Sequence, residues 1–394
     1  TDYGESWQVV ASGLPDAPVT SIVVDPTTPA GSRTLYAGVF EHGVYKSTDD
    51  GHTWTAKNTG LGAPDNMRVY RVVLHSDGTL FALITAKRQG GSFLHGGAGL
   101  YRSRDGGDTW ESLTADLDLI WPKDFSVSPD SSDVIFLGAT HGWSWPNPSG
   151  QSGLYRTTDG GKYWHFIDLP WWCYSMGPVG KAPDGTYYAA CENTLFRSHD
   201  DGTTWEEMGT LSRIGRAIMS LAFDRRYPQR IWAGMKVFHG STQGEGPVFL
   251  SEDGGNTWTD LGREIDAACL GGADIHSIEI CPANPDVMAV SAGCYCGFFL
   301  SEDGGRSWYR PQGSLDFDCL WWSRFAPDKL SCRIYTKAFP TGTYWSEDGG
   351  RSWHVELEGV GRDFFYFNKY VPQVIFGAAI HSTSSQVFQL WIKK

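Results

Sequence analysis

The sequence predicts an all-β fold, a single β-propeller of four-stranded antiparallel blades. Eight blades are expected, with seven as the alternative, and strands from both chain ends should close one blade. Three observations predict this. The stretch Tyr45-Lys46-Ser47-Thr48-Asp49-Asp50-Gly51-His52-Thr53-Trp54 recurs along the chain. Its core pattern, Ser/Thr-x-Asp-x-Gly-x-x-Trp, returns with Asp105 and Trp110, Asp159 and Trp164, Asp200 and Trp205, Asp253 and Trp258, Asp303 and Trp308, and Asp348 and Trp353, while Asp2, Gly4, Ser6 and Trp7 form a truncated copy. Successive aspartates from Asp49 onward are 41 residues apart at the closest (Asp159 to Asp200) and 56 at the widest (Asp49 to Asp105). Two or three strand-like runs fill each interval, and a period of that length marks a propeller or a solenoid.

The elements follow in order. Blade one reads as strands near 21–24, 34–39, 43–47 and 53–56, where alternation and flanking turn residues fit short antiparallel strands. Blade two follows at 69–75, 79–85, 99–103 and 109–113. Blade three uses 125–128, 134–139, 153–157 and 163–167, and blade four 174–181, 186–190, 194–198 and 204–207. Blades five to seven repeat the plan up to Asp253, Asp303 and Asp348. After Trp353 the runs 364–368, 374–378 and 387–392 give three strands without a fourth. The segment 7–11 supplies it, which removes the unpaired edges that an open array would expose. No linker or second domain is visible, so 1–394 reads as one domain.

Composition bounds the function. The chain has 394 residues, 48 of them Gly, with 14% aromatic, which suits many short strands and tight turns. A net charge of −13 argues against nucleic acid or an anionic membrane as partner. No apolar run is long enough to span a bilayer, and no signal peptide is visible. The eight cysteines show no paired zinc-type spacing. On the blade plan Cys173 falls beside Cys191 and Cys281 beside Cys332, while Cys269, Cys294, Cys296 and Cys319 share one sector. Pairing of that kind suggests an oxidising compartment, hence a secreted or periplasmic protein, expected to be monomeric.

Within each repeat, Asp bonds backbone amides ahead of it and Gly accepts positive φ, so turn chemistry explains both. The motif resembles the Asp-box, or BNR repeat, of sialidases, xyloglucanases, sortilin-type receptors and a photosystem assembly factor. The resemblance covers the whole chain. It implies that the box closes the hairpin between the third and fourth strands of a blade, away from the active face, so these aspartates are structural rather than catalytic or calcium-binding. Sialidases would also offer a Phe-Arg-Ile-Pro motif near the first inner strand, but that strand reads Val19-Thr20-Ser21-Ile22-Val23. Xyloglucanases set two propellers face to face, so their catalytic pair does not carry over to one.

Function is then expected on the opposite face, in the loops that do not repeat. Eight of the 18 Trp belong to the repeats, and seven others map to the variable face: Trp121, Trp143, Trp145, Trp171, Trp172, Trp321 and Trp322. Flat aromatic surfaces over a channel suit the apolar faces of sugar rings. Asp124, Asp274, Asp318 and Asp363 stand at the start of innermost strands, and glycoside hydrolysis needs two carboxyls, one as acid and one as nucleophile or base. Capping of turns is the bland role for each. His141, His239 and His276 are candidates for acid–base work. With other channel histidines they are also an alternative site for a divalent metal, although no cofactor is otherwise required. Arg71, Arg216 and Arg324 match a carboxylate-bearing sugar.

Three functions compete. The first is a carbohydrate-active enzyme, a glycoside hydrolase acting on a poly- or oligosaccharide in the central channel. The second is a polysaccharide lyase, with Arg neutralising a uronate and His or Tyr (Tyr70, Tyr174) moving the proton. The third is a non-catalytic module that binds glycan or protein.

Overall fold

The computed structural model describes residues 7–393, apart from 10–11, 30, 90–91, 95, 118, 120, 141–152, 168–175, 212–216, 237–245, 270–272, 293–295, 312–318, 326–331, 333, 340–341, 359–363, 368–374 and 381–387. Two compact units divide the chain, one made of Thr1–Met176 with Arg362–Lys394 and one of Gly177–Gly361.

The repeated turn shows how local sequence builds a sheet. In the first copy the Ser47 hydroxyl donates to Asp49 Oδ1 at 2.7 Å and accepts the Gly51 amide at 2.8 Å. The same carboxylate accepts the Thr53 amide at 2.9 Å and the Thr53 hydroxyl at 2.6 Å. The intervening chain reverses through two consecutive positive φ angles, 57° at Asp50 and 87° at Gly51. A side chain in that region costs about 1 kcal/mol, and five of the other six copies put Gly there (Gly106, Gly160, Gly254, Gly304 and Gly349). Asp50 offsets the cost with its own carboxylate, which accepts the Gly31 and Arg33 amides at 2.7 and 2.8 Å. The network recurs at Asp105, Asp159, Asp200, Asp253, Asp303 and Asp348.

In the first unit the turn joins the third and fourth strands of three sheets. These are Val19–Val24, Leu35–Val39, Gly43–Ser47, Thr55–Ala56; then Val69–Leu74, Leu80–Ile84, Gly99–Ser103, Glu111–Ser112; then Trp121–Ser128, Ser131–Thr140, Gly153–Thr157, His165–Ile167. A terminal sheet orders Trp7–Val9 beside Phe388–Lys393, then Ile375–Ile380 and Phe364–Phe367. Its register pairs Trp7 with Lys393 and Val9 with Trp391, so the expected union of the two chain ends is present.

The second unit holds a fourth sheet, Met176–Lys181, Tyr187–Cys191, Thr194–Ser198 and Glu206–Thr210, and a fifth, Ala217–Phe223, Ile231–Lys236, Val248–Ser251 and Thr259–Asp260. A sixth has Ile275–Ile280, Met288–Ala292 and Gly297–Ser301, and a seventh Cys319–Phe325, Ile334–Phe339, Gly342–Ser346 and His354–Glu358. Where the sixth sheet should gain a fourth strand there is one bridge, Leu300 to Tyr309. Pro311 follows two residues later and has no amide to continue the ladder. Two further elements were not expected. Helix-forming residues make the short helix Arg263–Ala268, and Glu264 there accepts the Trp308 amide at 2.8 Å. The loop after Leu80–Ile84 forms a ribbon of Lys87–Gln89 and Ser92–Leu94.

Second and third strands are buried along their length, as in Leu35–Val39, Leu80–Ile84 and Met288–Ala292. Both of their faces meet neighbouring sheets, so they read as near-continuous apolar runs rather than alternating ones. The repeated tryptophans bind sheet to sheet. Trp110 is 5% exposed and donates through Nε1 to the Lys57 carbonyl of the preceding sheet at 2.8 Å, and Trp164 does the same to Leu113 at 2.7 Å. At Gly38 an added Cβ would lie 2.8 Å from Val69 of the second sheet, a close approach that only Gly permits. Disulfides join Cys269 to Cys296 and Cys281 to Cys332. Cys191 is disulfide-bonded too, and Cys173, its expected partner, lies outside the described residues. Among those residues no helix is long and apolar enough to cross a membrane.

Two predictions follow from the turn and the terminal sheet. Burial pushes the Asp49 carboxyl upward, but donors from Thr53 and Ser47 outweigh it and hold the group at about 2, against an ordinary 3.8. The Thr109 hydroxyl and amide hold Asp105 at about 2 as well. Carboxylates depressed in the folded state stabilise it above their unfolded value and lose that contribution as pH falls through the folded one. Asp105→Ala is therefore expected to lower Tm at neutral pH and to flatten the fall of Tm between about pH 4 and pH 2, as followed by circular dichroism. Deleting residues 1–11 is expected to cost several kcal/mol in chemical denaturation, because it strips Trp7–Val9 from the edge of Phe388–Lys393.

Candidate functional site

Each first strand begins at what can be called the leading end of its sheet. The turn between first and second strands lies at the other end, beside the repeated turn. Backbone bonds join those two turns, from Gly160 to Asp133 at 3.0 Å, Gly254 to Gln229 at 2.8 Å and Gly304 to Asp286 at 2.8 Å. The repeats therefore occupy one end of each sheet, and the residues that do not repeat occupy the leading end.

That leading end has a backbone device of its own. Seven registers between a first and a second strand are described, and six contain a bulge close to the start of the first strand. The residues left out of the ladder are Thr20, Tyr70 and Lys123 in the first unit. In the second unit they are Met219, His276 and the pair Trp321 and Trp322. A bulge turns a side chain off the pleat and is common beside functional sites.

The expected carboxylates lie around this device. Asp124 pairs with Gly138 directly after the Lys123 bulge. Asp274 sits one residue before Ile275, bridges Lys236 through the backbone, and places Oδ2 3.8 Å from Lys236 Nζ. Its side chain is 28% exposed and that of Lys236 40%, so the pair is held at the surface of the second unit, where water screens it. Asp318 and Asp363 lie outside the described residues.

Among the other candidates, His276 is itself a bulged residue, Trp121 pairs with Thr140, and Arg324 pairs with Tyr335. His141, His239, Trp143, Trp145, Trp171, Trp172 and Arg216 lie outside the described residues. Among the described residues no three His, Cys, Asp or Glu side chains are grouped to hold a metal ion. Arg71, expected to meet a carboxylate-bearing sugar, directly follows the Tyr70 bulge. It donates to the Phe125 carbonyl at 3.2 Å and lays its guanidinium 5.4 Å from the centre of that ring.

Arg71 also borders an open cavity of about 430 Å³ between the first strands of the first two sheets, with Val23, Asp25, Leu74, His75 and Asp77. His75 there is nearly buried, with Nδ1 2.9 Å from Asp77 Oδ1 and Nε2 donating to the Ser128 carbonyl at 3.0 Å. Burial pushes the Asp77 carboxyl up, but the Ser132 hydroxyl and the Thr79 amide hold it well below the carboxylate range. Both imidazole nitrogens are engaged, so His75 works as a strut between the second and third sheets rather than as a base. The sequence reading passed over this pair, which His75-Ser76-Asp77-Gly78 shows only as a turn.

The Lys236–Asp274 contact gives a direct check. A double-mutant cycle of Lys236→Met and Asp274→Asn is expected to show a coupling below about 1 kcal/mol in urea unfolding. A larger coupling would mean that the pair is a structural clamp and that Asp274 is withdrawn from chemistry.

Comparison with known proteins gives the following. No model of a known protein family matches the chain. A photosystem II assembly lipoprotein Ycf48 of Synechococcus sp. is 24% identical over 261 residues, covering 65% of this chain and 66% of that protein. An oligoxyloglucan-reducing end-specific xyloglucanase of Emericella nidulans is 23% identical over 269 residues, covering 64% of this chain but 28% of the enzyme. Among solved structures, Sqt1 of Saccharomyces cerevisiae matches 98% of this chain and 97% of its own with a TM-score of 0.61 at 11% identity. An ancestral GH74 enzyme matches 98% of this chain and 47% of its own (TM-score 0.52, 15% identity). Ycf48 bound to D1 peptide matches 98% and 97% (TM-score 0.50, 14% identity). Likeness at these identities carries the fold alone, and with the four-stranded antiparallel sheets above it makes this chain an all-β protein of the propeller type.

Proposed function

We propose that the chain is a secreted or periplasmic glycoside hydrolase that engages a poly- or oligosaccharide at the leading ends of its sheets. The observation that carries this reading is the position of Asp124 and Asp274, each next to a bulge in an inner strand and at the end that the repeats leave unused. A carboxyl group is the kind of side chain that protonation of a leaving oxygen or activation of water uses. The similarity to xyloglucanases supports the substrate class, and the disulfides support an oxidising compartment. Asp318, Asp363, His276, His141 and His239 complete the set of residues proposed for the chemistry.

A non-catalytic, peptide-binding propeller is the second reading. Coverage favours it: among solved structures the peptide-bound Ycf48 is matched over 97% of its length and the ancestral GH74 enzyme over 47%.

A glycan-degradation screen read by product mass spectrometry tests the proposal. Hydrolysis is expected, with each product gaining one water, and elimination without that gain would point to a lyase. Asn at the true acid and at the true nucleophile or base, sought among Asp124, Asp274, Asp318 and Asp363, is expected to cut turnover by about two orders or more. No turnover on any glycan, together with saturable peptide binding, would replace hydrolysis by the second reading.

A further inference from the structure

Resting on that reading, we infer that Glu41 and Arg68 form a subsite at the leading end of the first two sheets, where they bind adjacent hydroxyls of a neutral sugar chain. Both residues belong to the first unit. Glu41 lies in the hairpin between Leu35–Val39 and Gly43–Ser47, at a φ of 65°. Residues other than glycine rarely adopt that angle, and strain of this kind gathers at functional sites. Asp50 adopts it too, but its carboxylate secures its own turn through the Gly31 and Arg33 amides. The Glu41 carboxylate bonds no backbone group among the described residues. It accepts Nε and Nη2 of Arg68 at 2.9 and 2.5 Å, both on Oε1. The Glu41 side chain is 54% exposed, and an ion pair so open to water returns little stability. Glycine would make the same hairpin without strain, so stability does not explain a glutamate here.

The backbone under the pair is fixed. Phe40 donates its amide to the Pro18 carbonyl at 2.8 Å, Gly43 donates to that of Met67 at 3.2 Å, and the His42 carbonyl accepts Asn58 Nδ2 at 2.9 Å. The Gly43–Met67 bond sets the hairpin beside Arg68, whose guanidinium lies 5.5 Å from the centre of the Phe40 ring. Glu41 Oε2 and Arg68 Nη1 take no protein partner among the described residues. An unused acceptor and an unused donor are therefore held side by side, and little ordering is left for a ligand to impose.

Charge narrows the ligand. Arg68 alone would call for a carboxylate, which a guanidinium fork matches. Glu41 cancels that charge, and its remaining oxygen repels an anion, so neither a uronate nor a peptide carboxylate suits the pair. A hydroxyl both donates and accepts. One sugar hydroxyl can donate to Glu41 Oε2 while its neighbour accepts from Arg68 Nη1, which satisfies both groups without bringing in charge.

The test compares Glu41→Gly, Glu41→Gln and Arg68→Gln with Asp50→Gly, a control at the opposite end of the first sheet. Affinity is measured by titration calorimetry for soluble xyloglucan, for polygalacturonate and for an acidic peptide, and Tm is recorded for every variant. Wild type is expected to bind xyloglucan. Glu41→Gly and Arg68→Gln are expected to weaken that binding about tenfold, with the Tm of Glu41→Gly equal to wild type or higher. Glu41→Gln is expected to weaken it too, and to shift preference toward polygalacturonate by uncovering the Arg68 charge. Asp50→Gly is expected to lower Tm and leave affinity unchanged. Should Glu41→Gly not fold, Glu41→Asn, which tolerates the same angle, takes its place. Xyloglucan affinity that survives the Glu41 and Arg68 substitutions would sink this inference, make the pair a tie between sheets, and leave the proposed function standing. Wild-type preference for polygalacturonate or the peptide would overturn the neutral-sugar assignment. A wild-type protein that binds none of the three would overturn the inference as well, while turnover in the glycan screen decides the proposed function separately.

Discussion

The carboxylate of each repeated aspartate sits between a Ser or Thr hydroxyl two residues before it and an amide four residues after it. This contact decides where a third strand stops and a fourth starts. The Trp that follows either ties back to the turn, as Trp54, Trp205 and Trp258 do through Nε1, or donates to the preceding sheet, as Trp110 and Trp164 do. The turn thus converts a local hydrogen-bond pattern into a long-range packing rule.

Much of the fold was legible because the turn is local. Ser47, Asp49, Gly51 and Trp54 have their main partners within a few residues, so their spacing in sequence is their geometry. The terminal sheet was legible by counting, since three strands at one end of the chain needed a fourth from the other. The helix Arg263–Ala268 and the lost fourth strand of the sixth sheet were less so, as a six-residue helix and one proline barely disturb a pattern of strands.

The backbone detail around the candidate residues was harder to read than their types. Bulges were missed although they leave a trace: Val19 and Ile22, Val69 and Val72, and Ile275 and Ile278 are apolar pairs three apart where a flat strand would show spacing of two. The surroundings of Arg71 were hidden for a related reason. The bulge at Tyr70 shifts the residue after it, and Arg71 donates to the Phe125 carbonyl. Its type was readable, but its direction depended on one extra residue in a ladder. The division between a repeated end that folds and a varied end with its own backbone irregularity is the firmer result.

The antiparallel union of Trp7–Val9 with Phe388–Lys393 has a topological consequence. Trp7 faces Lys393, so the polypeptide arrives and departs about one strand spacing apart, roughly 5 Å. Both points lie where the other sheets carry their repeated turn. Such a unit can be spliced into a longer polypeptide like a bead on two adjoining threads, without stretching its host. The threads would emerge from the end of the terminal sheet opposite its own leading end.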